Sequence, residues 1–415
     1  MNVVNDLVKI MNQIRGKENI FGYKSTIANQ FYLAYCFMGG IYISKEFHRH
    51  TKIFWFSWTL SMVLLCLFQL VSYLLFSDEK DIVTLLYTVF VFMAPFFACI
   101  VVPYISVFRF GKNLHDVIQI ADYVIINHNI HKKSTELLKK LLLYIILYEC
   151  LTASIFYSSC ALSVIFFYEE EKVKNYNYYF IYAPKLDQYG SPQLFVIYNT
   201  IAALCSLSVV ITYPMISFLL VFCTVVFQNG IQQIIIDLNS LDSNNDMTLE
   251  TYKIVEQKFK RTIITIIKCV RDFQVACKMI ECFRGFYETL AAIILPTVLF
   301  FEITHAFIFV LPGISTAVRL REISIFLPTI QPVFLLCWTG EILEESVQAL
   351  SFAVYSTPWY WSTSLRKDVY IFLCQTQRPM TVTALGAYPL CLATFLRFTN
   401  VIQSSVNVLR TIASK

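Results

Sequence analysis

The stretch from Thr383 to Arg410 reads TALGAYPLCLATFLRFTNVIQSSVNVLR, and it is long enough to cross a bilayer as a helix. Its second half nevertheless carries a polar stripe. At about 100° per residue, four polar side chains fall on one face of the predicted helix: Asn400, Ser404, Asn407 and Thr411. Lipid would penalise this stripe, so we expect that it faces protein or water.

Two interpretations of the polar stripe remain open. Its amides and hydroxyls could hydrogen-bond to neighbouring helices and hold them together. Alternatively, the stripe is one wall of a water-filled pore. A single stripe cannot enclose a pore, so the second interpretation requires several subunits, each of which contributes one such helix.

The composition of the whole chain is that of a membrane protein. Of its 415 residues, 57% are hydrophobic and only 15% are charged, and the mean hydropathy is +0.59. Soluble domains carry roughly 25% charged residues. The net charge of +5 is modest, so nucleic acid is not an expected partner. The first residues lack the apolar core of a cleaved signal peptide and instead predict a short interfacial helix.

Seven apolar stretches are long enough to span a bilayer, which predicts an all-α membrane protein with seven transmembrane helices. The sixth is the least regular, because Pro328, Pro332 and Gly340 interrupt it. The predicted spans are Ile53–Phe76, Ile82–Phe108, Leu141–Tyr168, Leu194–Phe227, Phe286–Val310, Ile323–Ile342 and Ala384–Leu409.

Lys and Arg residues orient this bundle. The segment before span 1 and the 2–3, 4–5 and 6–7 connections together hold 24 of them, whereas the other three connections hold six. Basic residues stay on the cytoplasmic side, so we expect a cytoplasmic N-terminus and an extracellular C-terminus. A G-protein-coupled receptor has the opposite orientation. In addition, none of the 13 cysteines lies in a predicted outer loop, where such receptors commonly form a disulfide.

The connection between spans 4 and 5 contains a heptad-like apolar face. Its residues step alternately by four and three positions, as they do in coiled coils. This face either packs within one subunit or holds subunits together. For the second alternative, the candidate interface residues are Phe259, Ile263, Ile266, Val270 and Phe273.

The sequence contains no recognisable catalytic motif, and it predicts neither a catalytic site nor a bound cofactor or metal. Glu302 and His305 lie three apart on one face of span 5, and they are either functional or a mutually satisfied buried pair.

The outer halves of spans 2, 3 and 4 combine aromatic and small residues, which suits either an apolar pocket for a small volatile ligand or plain helix packing. The candidate ligand-binding residues are Tyr87, Phe90, Val91, Ala94, Phe156, Ser159, Cys160, Ser163, Tyr198 and Ala202.

Four runs stand out in the C-terminal part of the chain: LLCWTGEILEESVQAL (335–350), YSTPWY (355–360), LRKDVYIFLCQTQRPMTVTALG (365–386) and CLATF (391–395). In these runs the chain resembles the insect odorant receptor family, and the inverted seven-span plan extends the resemblance to the whole chain. The last helix departs from the family pattern. Many members end in a Ser-Tyr-Ser-Tyr-Phe-like run, where this chain has QSSVNVLR.

The resemblance implies an odorant-gated, non-selective cation channel in the plasma membrane of olfactory neurons. This chain would be the odorant-specific subunit and would form a heterotetramer with a shared co-receptor. Cytoplasmic helices would make most of the subunit contacts, and gating would not require a G protein. Its other partners would be a small volatile hydrophobic odorant, monovalent and divalent cations and the lipid bilayer. Val408 and Ile412 align with the apolar gate of the co-receptor. The implied pore and gate residues are Asn400, Ser404, Asn407, Val408, Thr411 and Ile412.

The expected organisation follows from the spans. Residues 1–52 form a cytoplasmic segment with interfacial helices, 53–228 a ligand-binding bundle of spans 1–4, 229–285 a cytoplasmic helical anchor, 286–342 spans 5 and 6, 343–383 a second anchor, and 384–415 the pore-lining span 7 with a short extracellular tail. A homomeric gustatory-receptor-like cation channel is the main alternative. A transporter would be expected to show repeat symmetry between its halves, which we do not find.

Overall fold

The computed structural model describes residues 111–127, 219–241, 252–310, 316–357, 363–378, 380–384 and 386–413, together with isolated helical positions at 53, 57, 60, 61, 64, 67, 140, 143, 144, 147, 151 and 154. The continuously described segments form helices and one short β-hairpin. In chain order they are α1 (Gly111–Asn127), α2 (Leu219–Leu241), α3 (Tyr252–Val310), α4 (Thr316–Tyr355), α5 (Thr363–Thr376), β1 (Thr383–Ala384), β2 (Tyr388–Pro389) and α6 (Leu392–Ala413).

Helix α3 joins the predicted heptad region and span 5 in one uninterrupted element. Its 59 residues extend over about 88 Å at the usual helical rise. The hydrocarbon layer of a bilayer is only about 30 Å thick. More than half of the length of α3 therefore exceeds what a single span needs. That the excess projects out of the membrane stays a prediction.

Helix α4 is also longer than its predicted span. It runs without a break from Thr316 to Tyr355, through the positions of Pro328, Pro332 and Gly340. The residues that made the sixth apolar stretch the least clear in the sequence therefore do not break the helix. Membrane helices tolerate proline because neighbouring helices and hydroxyl side chains satisfy the freed backbone groups.

The core of the described residues lies around α3, which packs against α1, α4 and α6. Phe273 of α3 and Phe372 of α5 meet edge-on with ring centroids 5.6 Å apart, and both are buried. Tyr287 donates a hydrogen bond to the Leu336 carbonyl of α4. Lys268 of α3 pairs with Asp237 of α2 at 2.9 Å. These contacts give α3 partners on several sides.

Large apolar side chains are exposed at positions predicted to lie in spans 1 and 3. Ile53, Leu60, Leu64 and Leu67 repeat at helical spacing and are between 42% and 57% exposed. Leu143, Leu147 and Leu151 in span 3 are similarly exposed. Such a surface suits lipid rather than water. Among the described helices, two are long and apolar enough to cross a membrane, namely Leu219–Leu241 and Lys260–Val310.

A short hairpin precedes the last helix. Strand β1 pairs antiparallel with β2, and Gly386 between them has a φ of 68°, which favours glycine. The predicted span 7 began at Ala384, whereas α6 begins at Leu392. This boundary was wrong because the hairpin hydrogen bonds and Pro389 keep the segment out of the helix: Leu390 N donates to the Val382 carbonyl at 2.9 Å.

Candidate functional site: the polar face of the last helix

Helix α6 buries one stripe of apolar side chains and leaves the rest of its circumference uncovered. Phe398 and Ile402 are 9% and 5% exposed, and Phe395 and Val406 pack partly buried against the same core. Phe395 meets Phe334 of α4 edge-on with centroids 5.4 Å apart. These residues follow the 3- and 4-residue spacing of one helical face. They fix the rotation of α6 about its axis.

The predicted polar stripe lies on the opposite side and is exposed. Its side chains Asn400, Ser404, Asn407 and Thr411 are all exposed, and so are those of Arg397 and Gln403. Thr411 donates its hydroxyl to the Asn407 carbonyl of its own helix at 2.9 Å. The stripe is therefore not buried against the core of its own chain. It is available to water or to another protein.

Of the two predicted gate residues, the structure describes the side chain of Val408 but not that of Ile412. Val408 is 60% exposed on the uncovered side of α6. Ile412 lies within the helix, but its side chain is outside the described residues. An apolar side chain is thus presented next to the polar stripe near the end of the helix.

A second group of buried polar residues lies between α3 and α4. Glu302 and His305 are almost completely buried. Their hydrogen bonds lead to α4 rather than forming the mutual pair considered from the sequence: His305 Nδ1 lies 2.6 Å from Glu322 Oε2, and Thr329 donates its hydroxyl to Glu302 Oε1. Glu302 Oε2 has no hydrogen-bond partner among the described residues. Sequence reasoning missed Glu322 because it precedes the predicted start of span 6.

The heptad-like face of α3 turns mostly toward the core of its own chain. Ile266 and Phe273 are each 2% exposed, and Ile263 and Val270 are partly buried against the same core. The assignment of Ile266 and Phe273 to a subunit interface is therefore corrected, because side chains that are buried in their own chain have no surface left for another subunit. The side chain of Phe259 lies outside the described residues. Ile264 and Ile267 are the apolar side chains that this part of α3 exposes, at 67% and 59%.

The candidate ligand-binding residues all lie outside the described residues. This applies to Tyr87, Phe90, Val91, Ala94, Phe156, Ser159, Cys160, Ser163, Tyr198 and Ala202. The pocket remains a prediction from the sequence.

The sequence matches the family described as 7tm Odorant receptor over residues 119–402, which is more than half of the chain. This chain belongs to the odorant receptor family. The family that the C-terminal runs predicted is thereby confirmed. Members of this family are receptors and channels rather than known enzymes.

Solved insect structures share the fold of this odorant receptor. The olfactory receptor OR5 from Machilis hrabei in complex with eugenol matches with a TM-score of 0.65 at 12% identity, covering 93% of this chain and 100% of that one. A second structure of OR5 from Machilis hrabei matches with a TM-score of 0.63 at 12% identity, covering 92% of this chain and 97% of that one. At this identity the likeness concerns the fold. No curated protein sequence is significantly similar to the chain.

Proposed function

We propose that this odorant receptor is the odorant-binding subunit of a ligand-gated, non-selective cation channel. It works with a shared co-receptor in a heterotetramer in the plasma membrane of olfactory neurons. Odorant binding opens a cation pathway, and the entering charge depolarises the cell.

The observation that carries this proposal is the exposed polar stripe of α6. Lipid does not satisfy exposed amides and hydroxyls, and the apolar face of the same helix is already occupied by the core of its own chain. A water-filled path shared with other subunits satisfies both conditions. Asn400, Ser404, Asn407 and Thr411 would line or border that path and let a passing ion keep part of its water. Without such groups, a charge in a low-dielectric medium costs tens of kcal/mol.

The gate is proposed at the end of the same helix. A short apolar ring excludes water when it is narrow, and it conducts when it widens. Val408, exposed beside the stripe, and Ile412 supply this subunit's part of the ring. Movement of α6 away from the pore axis widens it.

The ligand is proposed to bind in the outer halves of spans 2, 3 and 4. A small volatile hydrophobic molecule suits an apolar pocket with a few hydroxyl groups. The solved receptor from Machilis hrabei binds eugenol, a small aromatic odorant of this chemical type. Tyr87, Phe90, Phe156 and Tyr198 are the aromatic side chains proposed to face the cavity, with smaller residues between them.

Co-expression tests the proposal. The chain is expressed with and without the co-receptor in cells that lack other odorant receptors, and currents are recorded during application of a panel of volatile alcohols, esters, aldehydes, terpenes and phenols that includes eugenol. We expect an odorant-evoked cation current only when both subunits are present. Currents from this chain alone would instead indicate a homomeric channel.

A further inference from the structure

We propose that Gly340 and Glu341 of α4 form a socket that fixes the Leu392 end of α6, so that ligand-driven movement of α6 is a tilt about this point. The proposal rests on the channel function proposed above and adds positioning residues to it. The two residues lie within the run LLCWTGEILEESVQAL, and their contacts give that run a mechanical role.

The first half of the socket is a close approach of two backbones. Gly340 is buried, and a Cβ atom at its position would lie 2.1 Å from the carbonyl oxygen of Leu390. Every residue other than glycine would have to push the chain between β2 and α6 away. The absence of a side chain at Gly340 therefore sets the separation between α4 and the start of α6.

The second half of the socket is a carboxylate at a helix N-terminus. Leu392, the first residue of α6, donates its backbone N–H to Glu341 Oε2 at 3.1 Å. The first N–H groups of a helix lack partners within the helix, and the helix dipole favours a negative charge at that end. Glu341 supplies both the acceptor and the charge from a different helix. It ties α6 to α4 at the first turn.

The hairpin before α6 is held from the other side by α3. Glu288 Oε1 accepts hydrogen bonds from Thr383 N at 3.4 Å and from Thr383 Oγ1 at 3.1 Å. Arg284 donates to the Thr381 carbonyl and lies 3.4 Å from Glu288 Oε1. The segment that leads into α6 is thus attached to both long helices.

The opposite end of α6 has looser surroundings. Among the side chains of α6 that the structure describes, Val406 is the last that packs against the core. Leu409 beyond it is half-buried, whereas Asn407, Val408, Arg410 and Thr411 are exposed. When a sideways force acts on a helix that is fixed at one end, the opposite, uncovered end moves farthest. That end carries the proposed gate.

The test compares Glu341→Gln with Glu345→Gln, an exposed carboxylate one turn further along the same helix. Each variant is expressed with the co-receptor, and surface amount, the odorant concentration for half-maximal current and the maximal current are measured. The probes are the odorant panel named above and an agonist of the co-receptor. We expect Glu341→Gln to raise the half-maximal odorant concentration about twofold to fivefold, which corresponds to the roughly 0.3–1 kcal/mol by which an exposed carboxylate stabilises a helix N-terminus. The response to the co-receptor agonist should be unchanged. Glu345→Gln should match the wild type.

Three results would overturn the socket. One is a Glu341→Gln subunit with wild-type odorant response at wild-type surface amount. Another is a loss of surface amount alone, since that shows only a structural role. The third is an equal loss of response to odorant and to co-receptor agonist. A wild-type subunit that gives no current with any odorant would instead overturn the proposed channel function, and the socket with it. Gly340→Ala is a second probe, expected to shift the odorant response in the same direction as Glu341→Gln.

Discussion

His305 of α3 and Glu322 of α4 are joined by a hydrogen bond of 2.6 Å between Nδ1 and Oε2, and both side chains are at least 98% buried. The bond connects the end of one long helix to the beginning of the next. Buried polar groups of this kind stabilise a fold only while both partners are present.

Removal of one partner should therefore be costly. We expect His305→Ala to destabilise the receptor by about 1–3 kcal/mol, because it removes the imidazole that hydrogen-bonds to a buried carboxyl group. Phe309→Ala, on the same helix but 37% exposed, is the control and should cost much less. The measurement is the amount of monodisperse receptor that remains after heating, determined by fluorescence-detected size-exclusion chromatography. Equal melting curves for the two variants would contradict the prediction.

Substituted cysteines test the polar stripe of α6. We expect Ser404→Cys and Val408→Cys to react with a water-soluble methanethiosulfonate reagent, and to react faster while odorant is present. Ile402→Cys is the matched control, because Ile402 is 5% exposed and faces the core. Exposed Cys374 is replaced by serine in all variants. Burial raises the pKa of the Cys269 thiol to about 12, so this thiol contributes little reactive thiolate at neutral pH.

Modification of Ile402→Cys as fast as Ser404→Cys would contradict the assigned rotation of α6. Equal rates for Ser404→Cys with and without odorant, together with unchanged conductance, would leave the stripe with no part in ion passage.

The two faces of α3 should respond differently to a negative charge. Phe273→Asp places a charge in the core beside Phe372, so we expect loss of folded protein. Ile267→Asp lies on the exposed face, and we expect a folded subunit that co-purifies with the co-receptor in smaller amounts. Detergent-solubilised yield and co-purification are measured for both variants. Normal co-purification of Ile267→Asp would exclude this face as a subunit contact.

Epitope tags test the orientation that the charge asymmetry predicts. A tag before Asn2 should bind antibody only after permeabilisation, and a tag after Lys415 should bind antibody on intact cells. The co-receptor is present in both experiments so that the subunit reaches the cell surface. Reversed accessibility would contradict the predicted topology and the proposed channel with it.

The sequence was most informative where one local pattern decided the outcome. The helical period placed Asn400, Ser404, Asn407 and Thr411 on one face of α6, and these side chains are all exposed in the structure, because a shared face depends only on spacing along one helix. The C-terminal runs correctly predicted the family. By contrast, the partner of His305 lies 17 positions away on another helix, and the contact between Gly340 and Leu390 joins residues 50 positions apart. Tertiary contacts of this kind have no periodic signal in a single sequence.

The heptad-like face illustrates the same limit. Its spacing correctly indicated an apolar helical face, but spacing cannot tell whether a face meets its own chain or another one. The neighbour that decides this for Phe273 is Phe372, which belongs to a short helix that composition alone would not place beside it.

The contact between Phe273 and Phe372 also has a consequence for biogenesis. The ribosome must add 99 further residues after Phe273 before its aromatic partner exists. At about 5–20 residues per second, this takes about 5–20 s. Throughout that interval the apolar face of α3 around Phe273 has no α5 to cover it. In the predicted orientation this face would meet the cytosol, and a chaperone that shields it until α5 emerges would raise the yield of folded subunits.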